Sequence, residues 1–313
     1  MELIRPVKTG FRVSQKAIAR LLLFPSILLF SVFTFWPFLY TIYLSFFDWN
    51  MVSPKKKFEI GRASCRERVG FENYVNVLTD HNFLKIAVNT FLYIAILLVI
   101  NFVVPYIFAF VIGIVLKKWT SFYKGSLFLP AFISLVVGSI LFTWILNPVS
   151  GPVALIFGWL GWEMPVWNKA QGWVILVLSL ITSWKVFGYN FVLLYASVNG
   201  ISKEVIEAAR LDNIPLWRIF FRIVLPMSSA TGIYVLIMTI VQGLQYVFTP
   251  VKVITQGGPD YASSNLIYHS YHEAFVLFET GHSAALSVIT MMIFILLLVL
   301  EFKFVERRVY YEN

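Results

Sequence analysis

Six long apolar stretches, separated by short polar segments, set the pattern along the chain. They cover about Leu21–Phe47, Val88–Leu116, Gly125–Leu146, Gly172–Val198, Pro226–Phe248 and Ser283–Phe302. Each matches or exceeds the roughly 20 residues a helix needs to cross a bilayer. Transmembrane strands are about ten residues long with alternating polarity, so uninterrupted runs of this length predict helices. Inside the runs the only charged residues are Lys185, near the middle of the fourth, and Glu301, at the end of the sixth. A central charge costs about 2.5–3.5 kcal/mol on insertion, so such scarcity is expected and each exception is informative. The pattern predicts an all-α integral membrane protein, with a six-span domain over 21–302. A polar segment precedes it at 1–20 and a short tail follows at 303–313.

The basic start followed by an apolar run has the outline of a signal peptide. The run is 27 residues long, however, well beyond a signal core, and no small-residue cleavage site follows it. It is expected to stay as the first span.

Composition agrees. Of 313 residues, 59% are hydrophobic and 13% charged, against about 25% charged in an ordinary soluble domain. The spans leave no room for a separate soluble domain of ordinary size. The net charge of +9 does not point to nucleic acid, because Lys and Arg fall in the short segments between apolar runs. With both termini inside, the cytoplasmic segments hold fifteen Lys and Arg and the outer loops nine, which favours that orientation. Cys65 is the single cysteine, so an internal disulfide or a cysteine metal site is excluded. It lies in Glu59–Arg68, a polar, basic stretch unlike its surroundings in the first outer loop, which reads as a basic surface loop, an insertion without a role, or a sequence-assembly artefact. Gly151–Glu163 is short, apolar and aromatic, and suits a helix lying at the membrane surface.

The segment Ile201–Pro226, between the fourth and fifth runs, carries the densest signal. Ser202 is an N-cap residue type and Glu204 falls in the first turn of the helix it would open. That helix should run to about Leu211. Asp212 and Asn213 then make a turn, Asn tolerating the left-handed conformation that ends helices. Pro215 suits the first position of a second short helix through Trp217, Phe220 and Phe221. Two short helices at a sharp bend form a knob. Ala208 and Ala209 keep one side small enough for another protein to approach closely, and Glu207 and Arg210 offer a charge pair.

This stretch resembles the EAA loop of bacterial ABC-importer permeases: Glu207-Ala208-Ala209, then Asp212, Trp217, Phe220 and Ile223-Val224-Leu225-Pro226. The flanks are similar to the carbohydrate branch of that family, the MalF/UgpA-like sugar permeases, at Trp184–Ile201 and Ile254–Ile289. Gly70–Leu78 and Asn89–Ile94 match its approach to the second span. The chain departs from the pattern at Asn213, where Gly is usual, at Ser202, where Pro is common, and at Glu59–Arg68, which has no counterpart. The resemblance implies a permease subunit of a binding-protein-dependent importer in the cytoplasmic (inner) membrane. Its partners would be a second homologous permease, two ATPase subunits that bind ATP and Mg, and an extracytoplasmic sugar-binding protein. The coupling loop 201–225 would dock on an ATPase. No cofactor is expected in this chain, and it contains no phosphate-loop motif and no G-x-G-x-x-G.

Transport of a sugar requires polar groups at depth. Lys185 lies about 18 Å into its run at 1.5 Å per residue, and an intramembrane charge marks a cavity or a partner. The plainer reading is a Lys beside a helix bend, reaching water or a backbone carbonyl. Tyr189 and Asn190 follow it. In the fifth run Thr239, Gln242 and Tyr246 share a helical face, with Gln245 beside it. Amides and aromatic rings suit sugar hydroxyls and the apolar sugar face, and amides serve interhelical bonding equally well. A counter-charge for Lys185 could be an acidic substrate, so an importer of glycerol-phosphate-like or acidic oligosaccharides stands as the alternative. An ion-driven secondary transporter would need an acid at the midplane, and an intramembrane enzyme a catalytic pair; neither is found. His269, His272 and Glu273 sit in one outer loop without a second cluster, and no metal site is expected from them.

Overall fold

A computed structural model describes residues 15–49, 67–68, 70–116, 119–170 and 172–305. The segment 1–14, Lys117 and Lys118, the end of the tail and most of the Glu59–Arg68 stretch, Cys65 included, lie outside them. The chain runs through α1 (Arg20–Leu44), α2 (Glu72–Thr79), α3 (Phe83–Leu116), α4 (Thr120–Phe132) and α5 (Leu135–Ile145). Next come α6 (Pro152–Trp159), α7 (Trp173–Asn199), α8 (Lys203–Leu211) and α9 (Leu216–Ile219). It ends with α10 (Ser229–Thr255), α11 (Leu266–Phe275) and α12 (Thr280–Lys303). Between α1 and α2, β1 (Phe47–Asp48) and β2 (Glu67–Arg68) pair antiparallel, Phe47 opposite Arg68.

Helices α1, α3, α7, α10 and α12 are each long and apolar enough to cross a membrane. The third apolar run differs from expectation: instead of one straight helix it forms α4 and α5, bent by 99°. The cause is local. Pro130 sits in the last tight turn of α4, and Ile133 and Ser134 then take extended backbone with ψ of 136° and 134°, breaking the helical ladder.

Helix α7 is the axis of the molecule and the most buried of the five long helices. One end contributes Phe191, Leu194 and Val198 to a core shared with Tyr106, Phe110 and Ile114 of α3. The other end gives Val174, Ile175, Leu178 and Ile181 to a second core, closed by Leu244 and Val247 of α10 and by Tyr93 and Leu97 of α3. By contrast, α1 exposes its apolar side chains along its length, as a lipid-facing or subunit-facing helix would. Two glycines permit backbone contact. A Cβ at Gly188 would overlap the Leu127 carbonyl oxygen, and one at Gly281 that of Phe47. Small residues allow helices in lipid to approach this closely.

Candidate functional site

The 201–225 segment folds as the bent pair of short helices its sequence predicts. The turn is fixed by hydrogen bonds that close the end of α8. The Ile214 amide donates to the Ala209 carbonyl at 3.1 Å, and the Asn213 amide to Arg210 at 3.0 Å. Asn213 takes φ 53°. This is the Schellman arrangement, with Asn in the position Gly usually fills. Ile214 packs beside Ala209 in the core under the turn.

Several details differ from the sequence reading. The Ser202 hydroxyl does not cap the helix by accepting a backbone N–H; it donates to Glu204 Oε2 at 2.7 Å, and this bond holds the Glu204 carboxyl below its ordinary range. Pro215 precedes α9 instead of opening it. Ala209 is buried, so only Ala208 keeps the outer face small. Arg210 is exposed, and its Nη2 donates to the Ile114 carbonyl at 2.7 Å, which anchors the α8 end of the hairpin to α3. Phe220 turns inward, meeting Phe110 at 5.2 Å and Tyr106 at 5.8 Å between ring centroids.

What remains outside is a defined face. Glu204, Glu207, Ala208 and Leu211 are exposed at i, i+3, i+4 and i+7, one stripe of α8. Asp212, Asn213, Pro215 and Trp217 extend it past the bend, all exposed. Behind the stripe, Ile206, Ala209 and Ile219 are buried in the core with Phe110, Ile114 and Phe191. A push on the outer face therefore reaches α3 and α7 through packed side chains.

A second feature lies deeper in the bundle. Phe128, Ala131, Lys185, Val186, Tyr189, Gln242 and Tyr246 line a pocket of about 400 Å³ between α4, α7 and α10. Lys185 Nζ donates to the carbonyls of Ala131 at 2.8 Å and Ile133 at 2.6 Å. It thus satisfies the acceptors that the α4–α5 break leaves open, as the plainer sequence reading has it, while also lining the pocket. Not every candidate converges here. Asn190 is buried and donates to the Asn101 carbonyl at 2.7 Å and to Thr239 Oγ1 at 3.1 Å. Asn190 and Thr239 therefore tie α7 to α3 and α10 and do not line the pocket. Gln245 is exposed and also lies outside it.

No protein-family profile matches the chain. Individual relatives do. The chain is 30% identical over 309 residues to the sn-glycerol-3-phosphate transport system permease protein UgpA of Yersinia pestis, covering 98% of this chain and 99% of that one. The Brucella abortus protein of the same name is 31% identical over 300 residues, covering 95% and 97%. The chain belongs to the UgpA-like family of ABC-importer permease subunits. The fold agrees. A chain of a bacterial ABC transporter that imports the acidic polysaccharide alginate superposes with a TM-score of 0.77 at 19% identity, covering 93% of this chain and 95% of that one. The same kind of transporter in complex with an alginate pentasaccharide-bound periplasmic protein gives 0.74 at 18% identity, covering 91% and 92%. The chain is thus a multi-pass inner-membrane transport subunit.

In this permease the sequence reading missed an anchor at the end of the bundle far from α8. Residues Lys85, Asn89 and Tyr93 recur every four positions along one face of α3 and bind the 256–265 loop. Asn89 Nδ2 donates to the carbonyls of Tyr261, Ala262 and Ser264 at 2.9, 3.2 and 3.2 Å. The Tyr93 hydroxyl donates to Ser263 at 2.9 Å, and Thr90 accepts from the Leu266 amide at 3.0 Å. Lys85 pairs with Asp260 at 2.7 Å and holds that carboxyl below its ordinary range. The period-four polar residues in an otherwise apolar run were the available signal.

Proposed function

We propose that this permease forms one half of a sugar or oligosaccharide pathway. It pairs with a second homologous permease and is driven by two ATPase subunits, to which ATP and Mg bind. Substrate arrives from an extracytoplasmic binding protein. Counting the bent α4–α5 pair as one crossing gives six spans, with both termini cytoplasmic and the α8–α9 hairpin on the same side. The observation that carries the reading is the outward stripe Glu204, Glu207, Ala208 and Leu211, backed by side chains that continue into α3 and α7. ATP binding and closure of the ATPase pair would press on that stripe and tilt the long helices. Reconstitution in liposomes with the co-purifying subunits tests this: uptake should require ATP, and should vanish when Glu207→Arg and Ala208→Trp are combined.

Lys185 favours a second reading, in which the substrate is acidic. Its ammonium lines the pocket beside two tyrosines, a setting where a carboxylate or phosphate would find a counter-charge of low hydration cost. The relatives named above handle glycerol phosphate and alginate, both anions. Lys185→Met should reduce uptake of an acidic substrate by about tenfold or more, about 1.4 kcal/mol, and spare a neutral sugar. Uptake of both substrates unchanged from wild type in the variant ends this reading.

A further inference from the structure

Where α11 meets α12, five titratable side chains gather that the transport reading does not use. His269, His272 and Glu273 come from α11, Glu279 from the connecting turn, and His282 from the first turn of α12. Two sets of three ligand atoms, each within 4.8 Å of one another, share Glu273: His269 with His272, and Glu279 with His282. The first set lies within one turn of a single helix, and a cation there would join nothing. The second draws on three consecutive elements.

We propose that Glu273, Glu279 and His282 form a binding site for a divalent transition metal, zinc above all, that staples α11 to α12. Three observations carry it. Glu273 and His282 are largely buried, with side-chain exposures of 8% and 20%, and His282 Nδ1 faces Glu273 Oε2 at 3.4 Å. That is longer than a charge-assisted hydrogen bond of about 2.7–2.9 Å. It equals the edge of a tetrahedron whose metal–ligand bonds are about 2.0–2.2 Å. The Glu279 carboxyl brings a third ligand atom within 4.8 Å of those of Glu273 and His282, and a cation between the two carboxylates would relieve their mutual repulsion. Finally, His269 Nε2 stands 3.5 Å from the other Glu273 oxygen, where an imidazole orients a ligating carboxylate from behind. Two oxygens and one nitrogen leave a fourth position for water.

The backbone is already arranged for such a staple. The Glu279 amide donates to the Glu273 carbonyl at 2.9 Å, and the Thr280 amide to that of Trp49 at 3.0 Å. The cluster therefore lies at the junction of α11, α12 and the residues after α1. It is separated from the α8–α9 hairpin by the length of α10, about 40 Å.

The test is calorimetric titration of zinc chloride into the full chain, purified in detergent with its co-purifying subunits and stripped with a chelator. One zinc per chain is expected. Glu279→Gln and His282→Ala should each weaken binding by about tenfold or more, while His272→Ala leaves it unchanged. Should either variant fail to fold, X-ray absorption of the zinc-loaded wild type decides, with two oxygens and one imidazole nitrogen expected from the protein. No zinc uptake, equal uptake by the Glu279→Gln/His282→Ala double variant, or a shell containing two imidazoles would each overturn the proposal.

Discussion

Lys185 has three ammonium hydrogens, and the α4–α5 break takes two of them through Ala131 and Ile133. A charge that looks costly in the sequence is thus the local repair of a broken helix, and its placement beside Tyr189, Gln242 and Tyr246 follows from that repair. Removing it has two separable effects. Lys185→Met should lower thermal stability in detergent by about 1–3 kcal/mol, because two acceptors lose their partner. The selectivity change proposed above would come in addition, so melting and uptake must be measured on the same preparation. Gly188 offers a purely steric counterpart. Gly188→Ala forces a methyl against the Leu127 carbonyl and should cost about 1–3 kcal/mol by separating α4 from α7; a melting temperature equal to wild type would show that the helices do not meet there. The sequence makes Lys185 conspicuous because charge is rare in apolar runs. It cannot show that Asn190 and Thr239 bond to each other while Gln242 lines a pocket, since all three are polar residues on apolar helices and only the packing separates them.

At the scale of elements, the two short helices and the turn between them in 201–225 were legible in outline, though not the contacts of Ser202, Ala209 and Phe220. Their signals are local: an acidic first turn, an Asn able to take positive φ, and a Pro that cannot continue a helix. The 99° break in the third apolar run was not legible as a break. Hydropathy is blind to it, and Pro130 alone marks a kink without giving its angle. The 256–265 loop was recognised by resemblance, but its clamp by Asn89 was not, because the partners are backbone carbonyls about 170 positions away. Two predictions belong here. Asn213→Gly should keep or slightly raise stability, by up to about 1 kcal/mol, since Gly adopts φ 53° without strain. Asn213→Val should distort the bend and lower substrate-stimulated ATP hydrolysis in the assembled transporter. Asn89→Ala should loosen the 256–265 loop, at a cost of about 1–3 kcal/mol, read as faster amide exchange across 256–265 with the α8–α9 hairpin unchanged.

Among the described residues, two of three cores are strung along α7, while the third, around Val77, Ile86, Leu266 and Leu286, joins α2, α3, α11 and α12. Of the two, one lies under the hairpin and binds it to α3; the other lies beneath the 256–265 loop and ties it to α3 and α10. Because α3, α7 and α10 each contribute to both, a displacement at the hairpin can be felt at the far end without any flexible link. The pocket lined by Lys185 and Tyr246 sits between the two. The proposed function would use this layout, with force entering at the hairpin, substrate at the far end, and the passage between them. The exposed apolar flank of α1 fits a subunit that works within lipid, and would accommodate the companion permease of the proposed assembly.

The most direct test is to purify the permease by an affinity tag from cells expressing the whole transporter and measure the bound ATPase subunit. The account predicts stoichiometric ATPase with the wild type and almost none with Glu207→Arg/Ala208→Trp, while the variant still inserts and melts normally. An undiminished ATPase yield from that correctly folded variant would contradict it.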